Sequence, residues 1–170
     1  VILNFALPLS VGMTSEKDFA EISLSEEMSN EEIKIRLQNK APAGIIITDV
    51  TNDSTPEFKE VEKAEFALTV HCNKKSEDFI KFFKLPEILT DKKTKKGIKE
   101  VDIKPMILNF EIKNNDDNSI DMKLMLSAGN TLNLNPSLVI KAAEKYIPEL
   151  IVEYVETKRL NLYTKKGEAF

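Results

Sequence analysis

The order of the hydrophobic periods constrains this chain more than any other feature. From residue 64 onward, strand-like alternation and helix-like spacing follow one another, with a turn signal at almost every junction. Residues 64–72 read as a strand, and residues 76–83, with Phe79, Ile80 and Phe83 on one stripe, as a short helix closed by Pro86. Residues 88–93 and 101–113 form a long hairpin leading into a core strand, and residues 120–126 return antiparallel after the Asn114–Asn118 turn. Asn135 then opens a helix, because its side-chain oxygen can accept a first-turn amide and Pro136 suits the first helical position. Leu138, Val139, Ala142, Ala143, Tyr146 and Ile147 share the apolar face of that helix. A strand over 151–163 completes the order β-α-β-β-α-β, the split βαβ pattern.

The first fifty residues repeat part of this order. Residues 1–9 read as a strand with an edge or bulge at Pro8, and residues 19–24 as a half-buried strand. Ser29 and Glu32 form a capping box, opening a helix to about Lys40 with Ile33 and Leu37 inward. Residues 44–50 predict a buried strand. The fold class expected is therefore α+β, with tandem ferredoxin-like halves, antiparallel-rich sheets and helices on one face. Residues 1–50 form a half that lacks its opening strand and helix, 51–60 a linker, 61–164 the second half with an inserted lysine-rich hairpin, and 165–170 a frayed tail. The missing strand would sit centrally in its sheet. A chain starting at Val1 without an initiator Met is thus expected to be truncated or processed, its vacant slot filled by another chain or by rearranged pairing.

Composition removes several chemistries. One Cys and one His leave no internal disulfide and no Cys- or His-built zinc site. His71 and Cys72 are neighbours in a predicted strand, so they face opposite ways and read as packing residues. Asp116 and Asp117 sit in a turn without calcium-loop spacing, and no Gly-rich phosphate loop or iron–sulfur Cys triplet is present. No catalytic residue, metal or cofactor is expected. No apolar run approaches the roughly 20 residues of a membrane helix, and no basic leader opens the chain, which predicts a cytoplasmic protein without membrane contact.

Charge supplies the candidate site. Residues 1–65 carry 6 basic and 13 acidic side chains, residues 66–113 carry 11 and 7, and the rest 7 and 8. Lys92, Lys93, Lys95, Lys96 and Lys99 crowd one hairpin tip, a field that attracts phosphate or an acidic surface; the same lysines also guard an exposed edge against pairing. Only Arg36 and Arg159 could read phosphate bidentately, so contact with nucleic acid would be backbone electrostatics. The loop carrying Ser127, Asn130 and Asn135 runs into a helix N-terminus, where free amides can receive an anion or an RNA backbone.

Four stretches carry a family resemblance. They are Asn4-Phe-Ala-Leu-Pro-Leu-Ser-Val-Gly12 with the strand over 19–24, Lys95-Lys-Gly-Ile-Lys-Glu-Val-Asp-Ile-Lys-Pro-Met-Ile107, Ser127-Ala-Gly-Asn-Thr-Leu-Asn-Leu-Asn-Pro136, and Arg159-Leu-Asn-Leu-Tyr163. In this order the chain resembles the uncharacterised radical-SAM-linked proteins of bacteria. The resemblance implies a non-catalytic accessory or adaptor domain with a radical SAM protein as partner, and RNA as a candidate ligand of the lysine hairpin. Family members carry a His- and Arg-rich helix upstream, which this sequence lacks. Two other readings stand beside it: an enzyme with a carboxylate-lined cleft between the halves, using Glu21 or Asp49, and a homo-oligomerisation module.

Overall fold

The computed structural model describes all residues except Val1, Ser54, Lys95, Lys96, Asp116 and Asp117; the side chains of Lys93 and Thr94 also lie outside the described part. In chain order the elements are β1 (Ile2–Phe5), β2 (Met13–Ser15), β3 (Ala20–Ser23), α1 (Asn30–Lys40), β4 (Val61–Cys72), α2 (Ser76–Phe83), β5 (Leu89–Thr94), β6 (Gly97–Asp102), β7 (Ile107–Asn114), β8 (Ser119–Ser127), α3 (Pro136–Tyr146) and β9 (Val152–Thr164). The protein is α+β, and its sheets are mostly antiparallel.

The main sheet has the order β2-β9-β4-β8-β7. Its four long strands are antiparallel to one another in the order β9-β4-β8-β7, which fits the split βαβ pattern expected for 61–164. Alternation along β4 sets the two faces. Ala64, Phe66, Leu68, Val70 and Cys72 are buried, while the residues between them are partly exposed. Onto the buried side pack Phe79, Phe82 and Phe83 of α2 and Val139, Ala142 and Ala143 of α3, which join β4, Leu124 and Leu126 in one core. His71 lies on the other side, stacked on Tyr154 at 3.9 Å, so the expected split of His71 and Cys72 across the sheet is observed.

The hairpin β5–β6 is anchored at its base. Ile88 and Ile103 are fully buried in the core, and the Leu89 amide donates to the Tyr146 hydroxyl at 2.9 Å.

Residues 2–50 are built differently from expectation. β1 and β3 form an isolated antiparallel pair, and β2 joins the main sheet by pairing parallel to β9 from Thr157 to Arg159. Residues 44–50 take no strand. Their backbone is held by α1 side chains instead: Gln38 donates to the Ile45 carbonyl and accepts from the Ile47 amide, and Lys34 donates to the Thr48 carbonyl. The hydrophobic pattern asked for burial, but among the described residues no strand lies beside this segment, and Ile46 is 78% exposed. In α1, capped by Ser29, only Ile33 is buried. The C-terminus also departs from the expected frayed tail. Phe170 donates its amide to Leu162 and lies 5.9 Å from Phe19, ring to ring, which returns residues 165–170 to the sheet.

The core is therefore concentrated in residues 61–164. Leu124→Ala is expected to cost about 2–5 kcal/mol by cavity formation, whereas Ile46→Ala should stay within about 0.5 kcal/mol, both read from urea unfolding.

Candidate anion-binding site

The lysine hairpin and the 127–135 loop meet. The Lys92 ammonium donates to the Asn133 carbonyl at 2.8 Å, two residues before the cap of α3. Running along α3, the hairpin has its base at Tyr146 near the helix C-terminus and Lys92 near the N-terminus. Lys92 faces Lys99 directly across the strands, and like charges opposite one another repel. The positive end of the α3 dipole adds to the same field.

The expected site residues fall in different surroundings. Asn135 caps α3: its Oδ1 accepts from the Ser137 amide at 2.9 Å and hydroxyl at 2.8 Å, while its Nδ2 donates to Ser10 Oγ. Ser127 ends β8 and is buried, its carbonyl accepting from the Leu134 amide. Asn130 is exposed at the loop surface. Lys95 and Lys96 lie outside the described residues, as does the Lys93 side chain, which leaves Lys92 and Lys99 to define the tip. One carboxylate approaches the loop: a Cβ on Gly129 would meet Glu62 Oε2 at 2.6 Å. Gly129 is thus the residue that lets this acid lie against the loop.

The open face of the sheet has another character. Lys123 pairs with Glu65 at 2.9 Å and Lys113 with Asp121 at 3.4 Å, while Tyr163 donates to Glu65. Burial would raise the Asp121 carboxyl, but hydrogen bonds from Thr69, Asn115 and Lys113 hold it below its ordinary value. Burial and the Glu65 charge push the Tyr163 hydroxyl up. With carboxylates and ammoniums alternating, this face is a neutral lattice that gives a polyanion no uniform field.

Among the described residues no group of three or more His, Cys, Asp or Glu side chains could hold a metal ion. Glu21 and Asp49, named for a cleft, are both exposed, and the Asp49 carboxylate accepts from the Val50 amide. Open depressions lie among the described residues. One, of about 350 Å³, lies between β2, α3 and β9, with Met13, Ile140 and Val155 beside Lys141 and Glu144; another, of about 310 Å³, lies against α1.

These features describe an α+β domain with a basic hairpin. The chain belongs to a family of uncharacterised proteins conserved in bacteria, DUF2344, whose model matches residues 1–136. No match was found among curated proteins or among solved structures. The family description carries no link to radical SAM enzymes.

Two outcomes are expected. Asn135→Ala removes the α3 cap and the tie to Ser10, and should lower stability by about 0.5–2 kcal/mol in urea titration. Asp121, with its folded-state pKa depressed, contributes stability that is present above its unfolded value near about 4 and lost as pH falls through the folded value. Asp121→Asn should flatten the acid limb of the unfolding midpoint against pH.

Proposed function

We propose that this chain is a non-catalytic adaptor that works beside a radical SAM enzyme in the cytoplasm and presents an anionic partner, RNA first among them, on the lysine hairpin. The enzyme partner is what the four-stretch sequence resemblance implies, and it rests on that alone. The single observation that supports the binding reading is Lys92 seated at the N-terminal end of α3, opposite Lys99. Binding of this kind is phosphate-directed, so affinity falls as salt rises.

Fluorescence polarisation with a structured RNA over a salt series tests it. Wild type should bind with a negative log–log slope, and Lys92→Ala/Lys99→Ala should weaken binding and reduce that slope by about 1–2. Salt-independent absence of binding removes the RNA reading.

A second reading, a homo-oligomerisation module, is favoured by one observation: Ile2, Leu3, Phe5, Ile35, Ile45 and Ile46 are all at least half exposed on residues 2–50. Light scattering over a concentration series decides it, since a constant monomer mass would exclude it.

A further inference from the structure

The most unusual buried group in the molecule is Arg159. It sits on β9 opposite Phe66, on the side of the sheet that the helices cover, and is only 2% exposed. A guanidinium offers five donors in a fixed fork, and a buried charge needs them filled. Here Nη2 donates to Asp18 Oδ1, while Nε is buried with no partner. One prong of the fork is used and the adjacent one is vacant. The edge formed by Nε and Nη is the edge that takes a carboxylate or a phosphate with two parallel hydrogen bonds.

The acid that meets Arg159 is held far less firmly than the arginine. Asp18 is 41% exposed, and it follows β2, three residues joined to β9 by parallel pairing. Further ties in this stretch are the Glu16 amide to the Arg159 carbonyl at 2.9 Å and an exposed Glu16–Lys158 pair at 3.6 Å, which contributes little. Arg159, in contrast, belongs to a strand paired with β4 over nearly its whole length.

We propose that Arg159 is the receptor of an anion site and that Asp18 is an internal carboxylate occupying it, displaced by a ligand bearing a carboxylate or a phosphate. The ligand uses the vacant Nε as well as Nη2, a contact that Asp18 does not make. Displacement frees the segment around β2, so occupancy of the site is coupled to release of residues 13–18 from the edge of the main sheet.

Chemical rescue tests this. Thermal unfolding is followed for wild type, Asp18→Ala, Asp18→Asn and the double variant Asp18→Ala/Arg159→Met, in acetate, phosphate and chloride at equal ionic strength. The expected result is a saturable rise of several degrees in the Asp18→Ala midpoint in acetate or phosphate over chloride, smaller in wild type, where Asp18 competes for the site, and absent from the double variant. A larger effect of acetate assigns a carboxylate ligand, and of phosphate a phosphorylated one. If Asp18→Ala folds only when acetate or phosphate is present, that dependence is itself the rescue. Equal shifts in all proteins, no gain over chloride in either single variant, or single variants that stay unfolded in every anion, each overturns the proposal.

Discussion

Strand β4 is hydrogen-bonded on both sides along almost its whole length, to β8 on one edge and β9 on the other. Everything else in residues 61–164 takes its position from that double pairing. Because side chains alternate across a strand, fixing β4 fixes which residues of β8 and β9 face α2 and α3, and a slip of one residue would turn the apolar set toward water. The fully buried Ala64 and Val70 bracket Phe66 and Leu68, so the register is chosen by burial. Several register shifts between β4 and β9, one of them at Phe66, adjust β9 where Arg159 enters the covered side.

Residues 2–50 show what happens without such a strand. They have strand-like and helical pieces with suitable caps, but a two-stranded pair cannot bury a face alone. Ile33 is their one buried apolar residue among those described. Their ties to the rest of the chain include β2, the Asn135–Ser10 and Asp18–Arg159 contacts, and Ala6, Leu7 and Phe19, which pack partly buried against the core. The two parts thus differ in kind: one has an interior of its own, and the other is fastened to it.

Much of this was readable from the residues. The periods of β4, α2, β8 and α3, and the cap at Asn135, followed from local rules that tertiary context did not oppose. Residues 44–50 were misleading because Ile45, Ile46 and Ile47 carry the hydrophobic signal of a core strand, and that signal says nothing about whether a partner exists. The parallel pairing of Met13–Ser15 with Thr157–Arg159 joins segments more than 140 residues apart, with only three residues of pattern to reveal it. In the candidate site, the lysine run was plain, whereas its contact with Asn133 depends on the direction of a hairpin, which composition does not encode. Arg159 was visible only as one of two arginines. Its burial arises from a face that alternation assigns to apolar residues, and the compensating acid lies far away in sequence.

The fully buried Ile88 and Ile103 at the root of the hairpin have a mechanical meaning. An insertion joined by flexible residues would swing freely and report nothing to the rest of the molecule. This one is a lever with its fulcrum in the hydrophobic interior, braced along α3 by Tyr146 and Lys145. The helix that braces it also holds Ser10 through its cap, so the root of the hairpin and the fastening of residues 2–50 share one element.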